Sequence, residues 1–444
     1  LFLLYNVILA CVALLALPLL VPWVFTCAKR RATVRQRLGL FPLSAMGNRK
    51  DAFRANRRIW VHALSVGEVL SALALVEQLR QCFKTDALFF STSTQTGFAV
   101  AQSKLVSKVD ALFYFPYDLL PVVRRVTRRV APDLVILVET DIWPNFLFEM
   151  QRRRVPVFLV NARLSERSWR RYRRLVGLVR PLFGTLARVC TQTGRDAERF
   201  RQLGVARERV YATGNIKFDQ ASHPEMNANL QALHRYLKAT PEQRTIVAGS
   251  THPGEEDLIG QAWADLKRQI PGVKLILAPR DPSRAAEIRQ LFGRGGHEAV
   301  LWSEIFHHGT RVSFDVLLVD TIGLLGKLYA LADIAIVGGS LGPFGGHNPL
   351  EPAAWSKPIL FGSDMNDFRQ IAQMLLAAGG AIQVTDAERL TPIMKKLLND
   401  RQWSRDLGAN AHLVFKRNQG TVAKTVAVIS DYCRMELQWN RIDR

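Results

Sequence analysis

The sequence predicts an α/β protein with two domains, each built on a parallel sheet, behind an N-terminal apolar helix. Three observations carry this. Residues 1–25, LFLLYNVILACVALLALPLLVPWVF, are almost entirely apolar. Short runs rich in β-branched and aromatic residues then alternate with longer amphipathic stretches, the pattern of strands covered on both faces by helices. The alternation is interrupted once, over 217–240, by the polar KFDQASHPEMNANLQ before a helix-like LQALHRYLKAT.

In chain order, the apolar N-terminus is long enough to span a bilayer core, which needs about 20 residues. AKRRATVRQR follows at once, with Lys29, Arg30, Arg31, Arg35 and Arg37. Basic flanks stay on the cytoplasmic side, so the expectation is a retained membrane anchor (1–27) with the bulk of the protein on the cytoplasmic face. A cleaved signal peptide would need a basic segment before the apolar run and a small-x-small site after it, and the sequence shows neither. Pro18 and Pro22 would kink the anchor or let it lie in the interface.

The first domain is expected over 28–220, with strands at 58–64, 87–92, 111–115, 133–139, 155–160 and 187–192. GEVLSALALVEQLR (67–80) is among its helices. The second is expected over 221–444, with strands at 244–249, 273–279, 315–320, 333–339 and 357–362. Its amphipathic tail from about 395 to 440 would pack back on the first domain. Ligands of open parallel sheets bind beyond the strand carboxyl ends, so the crevice between two such domains is the expected site.

Lys+Arg 60 against Asp+Glu 38 gives a net charge of +22 over 444 residues, which calls for an anionic partner. Cys11, Cys27, Cys82, Cys190 and Cys433 are scattered without a C-x-x-C. That fits a reducing compartment and argues against a disulfide framework or a zinc site. The histidines have no ligand spacing, and His307-His308 reads as surface. The sequence has no P-loop and no dinucleotide fingerprint after a first strand.

Two stretches read as strand, tight turn, helix start. IWVHALSVGEVLSALALVEQL places Glu68 three residues after Ser65, by pattern a capping box, which this spacing alone favours over the alternative of a general base at a strand end. ADIAIVGGSLGPFGGHNPLEPAAW ends a strand at Gly338-Gly339. It adds Gly345-Gly346 and offers Asn348 as a cap, Pro349 in the first turn and Glu351 three residues on. Free backbone N–H groups there would suit a phosphate. Glu139 and Arg280 also stand at strand ends and Lys217 at the domain junction, and GSTHPGEE (249–256) is expected to open a helix with Ser250, Thr251 and His252.

In this order HALSVGE, STSTQTG, FPYD, VETDIWPN, NARLSERS, TGNIKFD, GSTHPGEE, PRDPSR, VDTIG, LYALADIAIVGGS and GGHNPLEPAA occur over about residues 30–430. This series closely resembles the Kdo transferases of Gram-negative lipopolysaccharide synthesis. Those enzymes move 3-deoxy-D-manno-oct-2-ulosonic acid (Kdo) from CMP-Kdo to a lipid A precursor. The resemblance implies the GT-B glycosyltransferase architecture, two facing Rossmann-like domains with an N-terminal membrane anchor helix. It implies Glu68 as general base, with Glu139 and Lys217 supporting the transition state. It further implies that CMP is held by Pro279 and Arg280, by Ile322, Gly323 and Leu324, and by Asn348, Pro349, Leu350 and Glu351, with Glu351 at the ribose.

Two departures stand out: Asp281 where the family has His, and Leu324 where it has Glu. Asp281 would turn away from an anionic donor, and Leu324 would keep only backbone contacts. Asp141 for Glu is milder.

The implied reaction is inverting transfer of Kdo to a phosphorylated lipid A precursor (lipid IVA), with no cofactor, because a single-phosphate leaving group has less need of a metal. The arginines of 151–180 would meet acceptor phosphates and anionic inner-membrane lipids. Two alternatives remain open: a GT-B enzyme using a UDP-sugar and a lipid-linked acceptor, and a membrane-tethered nucleic-acid binder. The second would need aromatics among the basic residues on a sheet face; Trp169 and Tyr172 stand at helical spacing and read as packing. Nucleic acid is therefore not expected as a partner.

Overall fold

The computed structural model describes residues 2–40, 57–140, 142–220, 228–237, 240, 242–307 and 313–437. Asp141, His308 and residues 221–227, 238 and 239 of the interrupted stretch lie outside the described residues.

The chain divides into two compact units, Leu1–Gln220 with Gly420–Arg444, and Ala221–Gln419. The first holds a seven-stranded sheet in the order β3-β2-β1-β4-β5-β6-β7. Its strands are β1 (Arg58–His62), β2 (Ala87–Thr92), β3 (Ala111–Tyr114), β4 (Leu134–Val138), β5 (Val157–Ala162), β6 (Arg188–Thr191) and β7 (Val210–Ala212). All pairings are parallel. The second unit holds another parallel sheet of seven, β10-β11-β9-β8-β12-β13-β14. Here the strands are β8 (Arg244–Thr251), β9 (Val273–Pro279), β10 (Ala299–Leu301), β11 (Val316–Leu318), β12 (Ile334–Val337), β13 (Ile359–Phe361) and β14 (Ala381–Gln383).

The central strands are buried on both faces, which is why they read as unbroken apolar runs. Alternate residues enter different cores. On β4, Val135 and Leu137 join Trp60, Phe89 and Phe146 on one face, while Leu134, Ile136 and Val138 join Leu75, Phe90 and Phe158 on the other.

The expected division at 221–444 needs one correction: Gly420–Arg444 belongs to the first unit. The helix Thr421–Met435 buries Val422, Val426, Ile429 and Cys433 in the core that holds the helix Val66–Cys82. Two devices fix its start. Asp219 accepts from Gly420 N (2.7 Å) and Val422 N (2.6 Å), satisfying amides that a helix N-terminus leaves open. Gly214, at φ 110°, lies so close to the helix that a Cβ there would stand 2.4 Å from Thr421 Oγ1. Asp219→Ala is expected to lower stability by about 1–2 kcal/mol, the usual cost of a lost cap, and to expose the tail to proteolysis. Urea midpoints and limited digestion check this.

Residues Phe2–Phe25 form one helix with Pro18 and Pro22 inside it, followed by the helix Ala28–Arg37. The start of the first helix is tied to the domain: Tyr5 OH donates to Asp118 Oδ2 (2.9 Å) and Asn6 Nδ2 to Asn145 Oδ1 (2.9 Å). Val7, Ile8, Val12, Leu14 and Leu15 are exposed on it. Counted over the described residues alone, no helix is long and apolar enough to cross a membrane.

Candidate active site

In the first sheet the strand order reverses between β1 and β4, and in the second between β8 and β12. Ligands of such sheets bind outside the strand carboxyl ends at these reversals, because the connections diverge to opposite faces and leave a gap. Glu68 follows β1, Glu139 follows β4, His252 follows β8, and the glycine-rich loop follows β12.

Glu68 is half-buried in the first turn of the helix Val66–Cys82. Its Oε2 accepts from Leu64 N (2.6 Å) and its Oε1 from Ser65 Oγ (3.2 Å). Only part of the capping box is therefore formed: Glu68 reaches back to the backbone, while Ser65 makes no cap bond to an amide. The STST segment braces this turn. Thr92 Oγ1 donates to Leu64 O at 3.1 Å, and Ser93 N and Thr94 N donate to the same oxygen at 3.2 and 3.3 Å.

Beside Glu68's turn, His62 is buried and stacks on Phe115 at 4.0 Å, with Nδ1 3.0 Å from both Ser91 O and Ser91 Oγ. Burial drives its imidazole down to about 3, and the Arg37 charge acts the same way. Asp118 of FPYD accepts from Asn145 N (3.0 Å) and Phe146 N (2.9 Å), so it caps the helix Pro144–Arg152 of the WPN motif. Burial outweighs those bonds and pushes its carboxyl up to about 6.

Glu139 has φ 63°, in the left-handed region, and its N–H donates to Val160 O at 2.8 Å. Lys217 sits half-buried in the short turn Ile216–Asp219, its N–H held by Asn215 Oδ1 at 3.0 Å.

In the second unit the expected helix start at Ser250 is corrected. Ser250 and Thr251 end β8, Ser250 at φ 57°, and the helix begins at Glu255. Glu255 is buried and sews two loops together. It accepts from His252 N (2.9 Å), Gly339 N (2.7 Å) and Leu341 N (2.8 Å). Gly338 is required at this junction, since a Cβ would stand 2.5 Å from Ser250 O. His347 then meets His252 across the junction, Nε2 to Nε2 at 2.9 Å, and His252 stacks on Phe344 at 4.2 Å. Burial lowers His347 to about 4, assisted by the charges of Arg280 and His252.

A second correction concerns the helix after the glycines. It runs only from Leu350 to Ala354, and Asn348 Oδ1 accepts from Leu350 N (3.1 Å) in a tight turn rather than capping a long helix. A five-residue helix has little macrodipole, so helix charge does not make this a phosphate site. The loop does present Glu351. Burial pushes its carboxyl up to about 7 against a hydrogen bond from Asn348 and the charge of Arg280. Glu351 also lies beside Gly326, on the helix that follows the D-T-x-G turn.

Arg280 is exposed just after β9 and Pro279 is buried, with Arg280 N bonded to Thr251 O at 2.9 Å. The charge of Arg280 acts to lower His252, His347 and Glu351 alike. The other arginine of the motif is engaged elsewhere: Arg284 pairs with buried Glu256 at 2.8 Å.

The two departures have local explanations. Asp281 accepts from Ser283 N (3.0 Å) and Ser283 Oγ (2.7 Å), bonds that hold its carboxyl below the usual range. Leu324 packs half-buried against the core around Tyr329 and Trp302. Ile322 is 85% exposed on the turn and Gly323 takes φ 92°. Asp320 anchors the turn by accepting from Ser303 N at 3.1 Å.

The arginine-rich stretch folds into the helices Glu166–Arg174 and Val176–Phe183. Arg167, Arg170, Arg171, Arg173, Arg174 and Arg180 are exposed there, interleaved with exposed Leu175, Val176 and Leu178. Arg152 and Arg153 instead pair with buried Glu149 at 2.8 and 2.6 Å. Trp169 and Tyr172 pack against the first core, as their spacing predicts.

A family model described as 3-Deoxy-D-manno-octulosonic-acid transferase (kdotransferase) matches residues 32–220. The 3-deoxy-D-manno-octulosonic acid transferase of Haemophilus influenzae is 32% identical over 378 residues, 84% of this chain and 87% of that protein. The enzyme of that name from Chlamydia muridarum is 31% identical, covering 82% and 83% of the two chains. Among solved structures, a putative UDP-N-acetylglucosamine 2-epimerase from Listeria monocytogenes shares the fold. Its TM-score is 0.55 at 15% identity, and the match covers 88% of this chain and 99% of that one. The ordered motifs, the paired parallel sheets and these relatives agree: the chain belongs to the 3-deoxy-D-manno-octulosonic acid transferases, a family of glycosyltransferases.

Proposed function

We propose that the chain transfers Kdo from CMP-Kdo to a hydroxyl of a phosphorylated lipid A precursor, with inversion at the anomeric carbon. The observation that carries the residue assignments is that Glu68, in the first turn of the helix after β1, and Glu139, next after β4, follow the two strands that flank the reversal in the first sheet.

In this reading Glu68 accepts the proton of the acceptor hydroxyl as its oxygen attacks the anomeric carbon. The C–O bond to CMP breaks, and its electron pair leaves on the phosphate. Glu68 already accepts two hydrogen bonds from its own turn, which orient it. Glu139 faces the positive charge that develops on the sugar, and Lys217 supports the negative charge on the departing phosphate. In the second unit Pro279 and Arg280, Ile322 to Leu324 and Asn348 to Glu351 receive the CMP moiety. Glu351, poised near neutrality, accepts from the ribose hydroxyls.

Acceptor phosphates and anionic lipid headgroups meet the exposed arginines of Glu166–Arg174 and Val176–Phe183, each worth about 1 kcal/mol at a charged surface. The exposed Leu175, Val176 and Leu178 and the apolar helix Phe2–Phe25 supply the membrane contact, on the cytoplasmic face of the inner membrane.

Mass spectrometry of the product tests the proposal. Incubation with a CMP-Kdo generating system and tetra-acylated lipid A precursor is expected to give mass gains in whole Kdo units. No gain with CMP-Kdo, together with transfer from a UDP-sugar, would overturn the donor assignment.

A further inference from the structure

Asn161 is the penultimate residue of β5, inside the NARLSERS motif, and is fully buried at φ 55°. Left-handed backbone outside glycine is uncommon, and asparagine is among the residues that tolerate it. On the neighbouring strand, Glu139 immediately follows β4 in the same conformation, at φ 63°. Two adjacent strands therefore carry left-handed, non-glycine residues at their carboxyl ends, and the side chains meet: Asn161 Nδ2 donates to Glu139 Oε1 at 3.5 Å.

The other end of the same amide points into a different element. Asn161 Oδ1 accepts from Ile216 N at 3.1 Å, at the head of the turn that carries Lys217. That turn is fixed a second time through Asn215, whose Oδ1 accepts from Lys217 N at 3.0 Å. Asn215 Nδ2 in turn donates to Gln192 Oε1 at 3.2 Å, and Gln192 Nε2 donates to Asn161 O at 3.0 Å. The bonds close a ring from Asn161 through Gln192 and Asn215 back to Asn161. All three amide side chains are buried, 0%, 8% and 7% exposed. A buried polar ring with its partners in place holds one geometry, because any slip leaves an amide unpaired in a medium of low polarity.

We propose that Asn161 is a positioning residue that sets the Glu139 carboxylate and the Lys217 turn relative to each other, with Gln192 and Asn215 locking it in place. The proposal rests on the assignment of Glu139 and Lys217 made above. Asn161 suits the task because one amide carries both a donor and an acceptor: the donor meets a carboxylate, and the acceptor meets a backbone N–H. Aspartate would keep the acceptor and the tolerance for left-handed backbone, would lose the donor, and would set a second negative charge against Glu139.

The test is a double-mutant cycle on the full chain with CMP-Kdo and lipid A precursor. Asn161→Asp is expected to lower kcat by about 10- to 100-fold, the loss that follows removal of a hydrogen bond to a charged group. KM for CMP-Kdo is expected to stay unchanged. In the Glu139→Gln background, Asn161→Asp is expected to add little, since the carboxylate it would repel is gone. A purely structural role would instead multiply the two losses. Asn161→Gly keeps the backbone conformation and removes the whole amide, so a kcat loss in that variant supports the proposal even if Asn161→Asp fails to fold. Normal kcat in the Asn161 variants beside a damaged Glu139→Gln enzyme would overturn the role of Asn161 alone. Normal kcat in Glu139→Gln would overturn the assignment of Glu139 itself.

Discussion

Glu68→Gln is expected to lower kcat by about 10²- to 10⁴-fold, the range that a positioned general base contributes. Glutamine matches glutamate in size and keeps an oxygen that can accept from Leu64 N, the 2.6 Å bond that orients the side chain. The first turn of the helix Val66–Cys82 should therefore persist, and circular dichroism and urea midpoints should match wild type. The amide has no affinity for the acceptor's proton. The effect should thus fall on kcat and not on KM for CMP-Kdo. A variant that keeps wild-type kcat would reduce Glu68 to a helix-start carboxylate, which is what its pattern with Ser65 describes.

The second large effect concerns stability and pH at His62. The imidazole is held near 3 in the folded chain, against an ordinary value of 6.5, chiefly by burial. The unfolded chain therefore binds this proton first. Stability from a neutral His62 is fully present above pH 6.5 and is lost as pH falls from there toward 3. The linkage costs about 1.4 kcal/mol per pH unit in that window.

His347, lowered to about 4, acts with the same sign, whereas Asp118 and Glu351 are raised to about 6 and about 7 and act with the opposite one. Wild type alone would blur these contributions, so the clean measurement is a difference. His62→Gln removes the titrating group and keeps a donor for Ser91 O. Its stability deficit relative to wild type is expected to shrink by about 2–3 kcal/mol between pH 7 and pH 4.5. Urea midpoints of both proteins at the two pH values read this out. A constant deficit would mean that His62 does not stay neutral in the folded protein.

Alternation of apolar runs and amphipathic stretches located all the central strands, because burial on both faces leaves an unbroken hydrophobic signature. The strands it omitted, β7, β10 and β14, are three residues long and stand at sheet edges. Each has one neighbour and is too short for its pattern to stand out, and residues such as Tyr211 and Gln383 face solvent. The tail helix shows the same limit. Its sequence reports an amphipathic helix, whereas its membership in the first core depends on Asp219 and Gly214, two hundred residues away in the chain.

For the site, the ordered motifs determined the family and named Glu68, Glu139, Lys217, Arg280 and Glu351, since residue type and order are properties of the chain itself. Tertiary structure decided what each motif does. It assigned Asp118 to a helix cap, Arg284 to an ion pair with Glu256, and Glu255 to the junction of two loops. It also brought Asn161 to Glu139 and His252 to His347. Those pairings join residues 22 and 95 positions apart, set by strand order and by backbone at positive φ. A linear pattern carries neither, because hydrogen bonds form between neighbours in space and the sheet alone makes these residues neighbours.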